Sequence, residues 1–251
     1  MSAKELPEAV YYNAPQFIPL PATETTLDWK LVGGEPGNKQ SSLKIFLVAI
    51  PNQTVQDYQN VAQLAGLDLY AVEAEALGLA RALVKENRSR ICLVDIGVQS
   101  TTVSIVDKKN MKKSYSIDFA GSQLTFAISS GLGLGHTEAE ELKIRQGLMA
   151  LKENISKTLY LLIDPLLIEV KKILADFYQE EQKEVDAIYL TGGTAALPGL
   201  KEYFSEVLKK KVEIPNCFSD LLYPPILSKT LEGLAPSFSA ATGVALGGLE
   251  T

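Results

Sequence analysis

The chain has 251 residues, of which 46% are hydrophobic and 22% charged, with a formal net charge of −6. This composition excludes a disordered chain, a collagen-like repeat and a small disulfide scaffold, and the length allows one large domain or two lobes with separate cores. The acidic balance offers no basic face for nucleic acid, so we expect no nucleic-acid partner. Cys92 and Cys217 lie far apart in the sequence and indicate neither a bridge nor a metal cluster.

The start of the chain and its apolar stretches bear on localisation. The first eight residues carry Lys4, Glu5 and Glu8, which does not resemble a secretory leader. The longest weakly polar stretch, 235–249, is too short to cross a bilayer. We therefore expect a cytoplasmic protein with no direct membrane span.

The first ninety residues predict a small α+β unit. In chain order the predicted elements are a helix at 6–16, strands at 25–32 and 43–50, a helix at 54–65, a strand at 67–72 and a helix at 73–84. A turn cluster from Gly33 to Asn38 joins the first two strands as a hairpin. Thr54 is the expected N-cap of the second helix.

A second unit is predicted after the charged linker at 85–90. Its predicted elements are strands at 91–97, 101–106 and 114–119, helices at 123–130, 137–145 and 148–181, a strand at 185–190, a helix at 198–208, a strand at 212–214 and a helix at 237–247. The first three strands have tight connections and form a meander. Pro165 is expected to kink the long helix or split it in two.

The first candidate site lies where the strand at 91–97 ends. Asp95 stands near the end of that strand, Gly97 makes the turn, and Thr101 and Thr102 begin the next strand. Glycine lets backbone N–H groups approach a phosphate, hydroxyls donate hydrogen bonds, and a carboxylate can hold a hydrated divalent cation. The hairpin is typical of a phosphate cradle. From the residues alone, the alternative is an ordinary β-turn followed by strand-forming threonines.

The second candidate is the connection from the strand at 185–190 to the following helix. Gly192 and Gly193 leave bare backbone there, followed by Thr194, and a flat ring or a phosphate could lie on it. The alternative is a plain strand-to-helix connection. Neither candidate matches a Walker loop.

A third segment combines glycines with charged residues. The glycines between 131 and 135 resemble a dinucleotide fingerprint, but they follow a predicted helix instead of a strand, which excludes that motif. Thr137 and Glu140 have the spacing of a capping box. Glu140 and Lys143 share a helix face and can form a surface ion pair.

Taken together, these motifs stand in the order and approximate separation found in the actin-like ATPase superfamily. Within it, the chain resembles the PilM family of type IV pilus assembly proteins, which is related to the cell-division protein FtsA. Similar stretches are spread over almost the whole chain, at 5–9, 16–21, 47–51, 65–67, 93–97, 139–143, 188–200 and 215–218.

The resemblance implies an α/β, actin-like (ribonuclease H-like) fold of two lobes around a nucleotide cleft. Residues 1–90 would be lobe I with a small inserted α+β subdomain, and residues 91–251 would be lobe II with a helical subdomain at about 122–184. The resemblance also implies three groups of contacts with ATP and Mg²⁺: a second phosphate loop of Asp95, Gly97, Thr101 and Thr102, in which Asp95 holds the metal; an adenosine loop of Gly192, Gly193 and Thr194; and Glu140 and Lys143 near the ribose and base.

The sequence departs from the family at several points. Relatives begin with a strand and an Asp-x-Gly loop that grip the phosphates, and no such segment stands before Lys4. We therefore expect an N-terminally incomplete lobe I and weak or absent ATP binding by this chain alone, whether the sequence is trimmed, divergent or half of a split protein. Gly121 follows Ala120 where relatives typically have a glycine pair, and Thr194 replaces a third glycine.

The function implied by the resemblance is that of an adaptor. Such a protein lies at the inner membrane through its partner and binds the cytoplasmic tail of an inner-membrane assembly protein, PilN in the family, in a groove of lobe I within 7–48. Self-association is a further interaction to test. No catalytic residue is identified. The alternatives are a sugar or acid kinase of the same superfamily, and an FtsA-like division protein.

Overall fold

The computed structural model describes residues 2–38, 42–85, 89–149 and 153–249. By its internal contacts the chain divides into two compact units, Met1–Ala74 and Glu75–Thr251. This division falls before the helix Glu75–Leu83, whereas the lobe boundary expected from the sequence lies near residue 90. The assignment of the two segments as lobes stays a prediction.

The N-terminal unit is a helix beside a hairpin and a second helix. Its elements are α1 (Leu6–Asn13), β1 (Thr25–Gly33), β2 (Lys44–Pro51) and α2 (Asn52–Leu64). The strands pair antiparallel, with Trp29 opposite Leu47. Side chains directly opposite in such a pair lie on the same face of the sheet, so these two are neighbours.

Two predictions for the N-terminal unit are wrong. α2 begins at Asn52 with Pro51 at its N-cap, and not at a Thr54 cap. The Asn52 side chain instead accepts a hydrogen bond from Thr26 Oγ1 (2.8 Å), which ties the helix start to β1. The predicted strand at 67–72 is absent, because this segment adopts no regular structure and leaves the apolar side chains of Leu67 and Tyr70 exposed.

The C-terminal unit is built on one sheet. Its helices are α3 (Glu75–Leu83), α4 (Gly121–Leu132), α5 (His136–Gln146), α6 (Glu153–Glu181), α7 (Leu200–Leu208) and α8 (Ser228–Gly247), and its strands are β3 (Arg90–Ile96), β4 (Thr101–Asp107), β5 (Asn110–Ile117), β6 (Ala187–Thr191) and β7 (Val212–Glu213). The strand order is β5-β4-β3-β6-β7. The meander β3-β4-β5 is antiparallel, and β3, β6 and β7 run parallel.

Helices cover both faces of this sheet. Alternate residues of β3, namely Cys92, Val94 and Ile96, belong to the main core with side chains from α4 to α7. On the other face α3 packs along α8. Their closest approach is at Gly78 and Gly243, where a Cβ added to Gly243 would lie 1.7 Å from the carbonyl oxygen of Gly78.

Three element boundaries differ from expectation. Of the two outcomes expected at Pro165, a kink or a split, the split is wrong, because α6 is a single helix through the proline. The residues after the proline, such as Leu166 and Leu167, are buried and hold the helix in place. The β4–β5 turn is shorter than predicted, because Lys108 and Lys109 both adopt positive φ and reverse the chain at once. α8 begins at Ser228 and includes Pro236, which is buried.

Candidate functional site

The bends at Gly97 and Gly192 lie side by side in the C-terminal unit. They follow the parallel strands β3 and β6, in which Asp95 is paired with Thr191. The backbone N–H of Thr194 donates to the carbonyl oxygen of Ile96 (3.2 Å), which joins the two bends directly. Ligands of parallel α/β sheets bind outside the carboxyl ends of the strands, and the two bends occupy that position.

The second bend requires glycine at one position and leaves backbone open at the next. Gly192 has a φ of +85°, and an added Cβ would lie 2.5 Å from the carbonyl oxygen of Ile96. Its N–H donates to the carbonyl oxygen of Pro236 in α8 (2.9 Å). Gly193 is exposed, and an added Cβ would meet only Ser237 Oγ, at 3.7 Å. A ligand can therefore approach the backbone at Gly193.

Asp95 lies beneath these bends. Its pairing with Thr102 across β4 places both side chains on one face of the sheet. Within the described residues, the Asp95 carboxylate accepts no hydrogen bond and forms no ion pair. Burial, and secondarily the negative charge of Glu75, raise the pKa of Asp95 to about 6. An under-solvated carboxylate without a protein partner fits a hydrated divalent cation.

The start of α4 is wedged between the two bends. The N–H of Gly121 donates to the carbonyl oxygen of Gly97 (2.9 Å), and the next N–H, of Ser122, donates to Val98 (3.2 Å). On its other side, a Cβ added to Gly121 would lie 2.2 Å from the hydroxyl oxygen of Thr194. Only glycine fits at this contact, so Gly121 supports both bends.

A buried ionic network stands behind Gly121. The ammonium of Lys143 lies 2.7 Å from Glu140 Oε2 and donates to Thr125 Oγ1 (2.9 Å) and to the carbonyl oxygen of Gly121 (3.1 Å). The Thr125 hydroxyl also donates to Glu140. Burial raises the pKa of Glu140, but the hydrogen bonds from Lys143 and Thr125 outweigh it and hold the pKa below its ordinary value.

This network corrects the local interpretation of Glu140. α5 begins after Gly135 with no side-chain cap, so the capping box predicted for Thr137 and Glu140 is wrong. The Glu140–Lys143 ion pair is present, but Lys143 is buried, with 7% of its side chain exposed. The predicted surface pair is therefore half-buried, because α5 turns Lys143 toward α4 while 38% of the Glu140 side chain stays exposed.

The two threonines that follow the first bend differ in whether their hydroxyls can reach a ligand. Thr101 is fully buried, and its hydroxyl donates to the carbonyl oxygen of Phe119 (2.8 Å). Thr102 is half-buried beside Asp95. The hydroxyl of Thr101 is thus used inside the protein, and Thr102 is the threonine with access to a ligand.

The structure brings together, at the carboxyl ends of β3 and β6, the residues Asp95, Gly97, Gly192, Gly193 and Thr194. Glu140 and Lys143 lie next to this group, on the far side of Gly121. Sequence analysis missed the roles of Gly121 and Pro236, which contact the bends from distant positions in the sequence, and of Thr125, which bonds to Gly121, Glu140 and Lys143. The one available signal was the glycine after Ala120.

The charged side chains and the helices bear on metal binding and on membrane insertion. Among the described residues there is no group of at least three His, Cys, Asp or Glu side chains that could hold a metal, so a cation at Asp95 would keep most of its water ligands. None of the helices in the described ranges is long and apolar enough to cross a bilayer.

The N-terminal unit carries a separate apolar groove. Its cavity of about 350 Å³ lies between α1 and β2. The lining residues are Leu6, Ala9, Val10, Asn13, Ala14, Phe17, Leu43, Ile45 and Leu47. Ile45 and Leu47 are alternate residues of β2 and so lie on one face of the strand, and Leu43 directly precedes it. The groove falls within the 7–48 region in which the sequence predicts partner binding, apart from Leu6 at its edge.

Comparisons with known proteins point to one family. A family model described as type IV pilus assembly protein PilM matches residues 1–249. The solved PilM-PilN type IV pilus biogenesis complex is 24% identical, with a TM-score of 0.84, over 100% of this chain and 74% of that chain. MreB 5 of Spiroplasma citri, solved with AMPPNP, is 17% identical, with a TM-score of 0.59, over 78% of this chain and 64% of that one.

Among curated proteins, the cell-division protein FtsA of Staphylococcus epidermidis is 23% identical over 223 residues, which is 79% of this chain and 48% of that protein. FtsA of Pseudomonas aeruginosa is 24% identical and is covered to 51% of its length. The chain thus spans about half the length of these relatives. The structural likenesses show an actin-like fold, as predicted.

Proposed function

The chain belongs to the family of type IV pilus assembly protein PilM, and from this premise we propose that it is an adaptor whose N-terminal unit binds a short apolar peptide. The observation that carries the proposal is the groove between α1 and β2. Its cavity of about 350 Å³ is of the size that small ligands and peptide side chains fill.

The peptide that we propose is the cytoplasmic tail of a PilN-like inner-membrane assembly protein. The solved relative is a complex of PilM with PilN, and the groove here lies in the segment where the family resemblance places partner binding. Bound to such a tail, the chain would lie at the cytoplasmic face of the inner membrane. The kinase and division-protein alternatives have no comparable support, because the matching family model is that of a pilus assembly protein.

The groove also sets the chemistry of the partner. Among the described residues, Asn13 is the only polar side chain that lines it, so the peptide must bury apolar side chains and satisfy its own polar groups at the rim. Such an interface is stabilised mainly by the hydrophobic effect. Salt should therefore change its affinity little.

Titration calorimetry with a synthetic peptide from the N-terminus of the PilN-like partner tests the proposal. Val10→Glu places a carboxylate in the groove and should weaken binding by at least about tenfold. Tyr12→Glu is the matched control, because Tyr12 lies on the same helix with 85% exposure and outside the groove lining. No binding by the unaltered chain, or equal losses in both variants, would contradict the proposal.

We further propose that the C-terminal unit contributes one side of a nucleotide site. Bound ATP would place phosphates against the bends at Gly97 and Gly193, with Mg²⁺ held through water by Asp95 and Thr102 beside it. The metal would neutralise phosphate charge. Thr101 and Lys143 use their donors inside the protein, so few remain for phosphate, and we expect affinity weaker than about micromolar.

A further inference from the structure

The ammonium of Lys143 donates all of its hydrogen bonds to groups of the protein. An ammonium has three N–H donors, and Glu140, Thr125 and the carbonyl of Gly121 supply three acceptors between 2.7 and 3.1 Å. The side chain is 7% exposed. Lys143 therefore has no donor for a ribose or a base while this network is intact.

The acceptor Gly121 connects the network to both bends. Its N–H donates to the first bend at Gly97 (2.9 Å), and its α-carbon abuts Thr194 of the second. The carbonyl of the same residue accepts from Lys143 (3.1 Å). Gly121 is thus bound on one side by the Lys143 ammonium and contacts both bends on the other.

From these contacts we propose that Lys143 is a positioning residue for nucleotide: it fixes Gly121, and through Gly121 the spacing of the two bends, without contacting the ligand. The inference rests on the nucleotide part of the proposed function and deepens it. It differs from the role near the ribose and base that the family resemblance implies for Lys143.

The exposure of Glu140 makes a positioning role testable apart from stability. Removing one member of an ion pair is strongly destabilising when the remaining charge stays buried without a partner. Glu140 has 38% of its side chain exposed and can be hydrated without its partner. Lys143→Met should therefore loosen the bends more than it destabilises the unit.

Hydrogen–deuterium exchange of the full chain without ligand measures this directly. The reporter amides are those of Gly121 and Ser122, which bond α4 to the first bend, and of Thr194, which bonds the second bend to the first. Asp186 and Ile188 report on the opposite end of the same sheet. In Lys143→Met we expect exchange about tenfold faster at the reporters and unchanged at Asp186 and Ile188. Unchanged reporters, or equal acceleration everywhere, would overturn the proposal.

A second pair of variants covers the case in which Lys143→Met does not fold. Thr125→Val removes the hydroxyl that accepts from Lys143 and keeps the shape, whereas Thr125→Ser keeps the hydroxyl. Exchange at the reporters should accelerate in the valine variant and return to normal in the serine variant. Lys172→Met is the control for loss of a lysine, because Lys172 forms an exposed pair with Glu169 on α6. Equal behaviour of Thr125→Val and Thr125→Ser would count against the network.

Binding of Mg-ATP and of Mg-tripolyphosphate separates positioning from contact. If Lys143 contacted the ribose, replacing it would lower the affinity for Mg-ATP and leave the affinity for Mg-tripolyphosphate unchanged. If Lys143 only positions the bends, replacing it should lower both affinities by the same factor, about tenfold for the hydrogen bond lost. If the unaltered chain binds neither ligand, the nucleotide proposal fails while the exchange result still decides the role of Lys143.

Discussion

Gly78 and Gly243 touch through their backbones, and the α-carbon of Gly243 lies too close to the carbonyl of Gly78 for any side chain. An added Cβ would stand 1.7 Å from that oxygen. In the same region Arg81 donates to the carbonyl oxygen of Gly243 (2.7 Å). The contact between α3 and α8 on one face of the sheet therefore depends on glycine at this crossing.

Gly243→Ala should destabilise the C-terminal unit. The helix gains propensity from alanine, but α3 and α8 must separate, and we expect a net loss of about 1–3 kcal/mol. Thermal and urea unfolding followed by circular dichroism measure it. Gly233→Ala is the control within α8, because an added Cβ there meets nothing within 4 Å; it should stabilise by up to about 1 kcal/mol. An unchanged free energy of unfolding in Gly243→Ala would show that the contact between α3 and α8 does not require glycine at this position.

Asp95 predicts a pH dependence of stability. Its folded pKa of about 6 lies above the ordinary value, so between about pH 4 and 6 the folded state binds more protons than the unfolded state, and this contribution to stability falls as pH rises. Above pH 6 the ionised carboxylate destabilises the fold. Asp95→Asn should be more stable than the unaltered chain at pH 8, by roughly 1–3 kcal/mol, and nearly equal to it at pH 4.

Urea unfolding in EDTA at pH 4, 6 and 8 tests this expectation. The control is Asp118→Asn, because Asp118 is exposed. An advantage of Asp95→Asn that stayed constant over this pH range would show that the carboxylate does not titrate as its surroundings dictate.

Thr101 and Thr102 should separate stability from binding. Thr101→Val leaves the carbonyl of Phe119 without its buried donor and should cost about 1–3 kcal/mol, with nucleotide affinity changed less than about twofold. Thr102→Val should keep the free energy of unfolding within about 0.5 kcal/mol of that of the unaltered chain and should lower the affinity for Mg-ATP. Fluorescent ATP titration and thermal unfolding together decide. Loss of affinity in Thr101→Val alone would restore the assignment transferred from the family.

The two adjacent glycines of the second bend should respond oppositely. Gly192→Ala forces a side chain into the left-handed region and against Ile96, and should cost at least about 2 kcal/mol. Gly193→Ala meets only Ser237 Oγ at 3.7 Å, and should fold normally while weakening nucleotide by about fivefold or more. Calorimetric melting and ligand titration of both variants test this. If Gly193→Ala and the unaltered chain bind nucleotide with equal affinity, the ligand does not contact the backbone at Gly193.

The strands and bends of the site could be predicted because their signals are local. An apolar run that ends in a glycine marks β3, and the same pattern marks β6, whether or not the partner strand is known. Their adjacency came from the family resemblance, since nothing in either segment specifies the other. Its physical basis is the register that pairs Asp95 with Thr191.

The connecting residues could not be predicted because their partners are distant in sequence. Lys143 lies 22 positions from Gly121, and Thr191 lies 45 positions from the carbonyl of Pro236 to which it donates. The strand expected at 67–72 failed for a related reason. An apolar run indicates a strand only if another strand is available to pair with it, and Tyr70 lies exposed with no such partner in the described part of the chain.

Trp29 gives the N-terminal unit an intrinsic optical probe. It is the only tryptophan in the sequence, and its cross-strand neighbour Leu47 lines the groove between α1 and β2. Indole emission depends on how much water surrounds the ring, and a peptide seated against Leu47 would displace water there. Occupancy of the groove can therefore be followed label-free by a blue shift, in real time and on the unaltered chain.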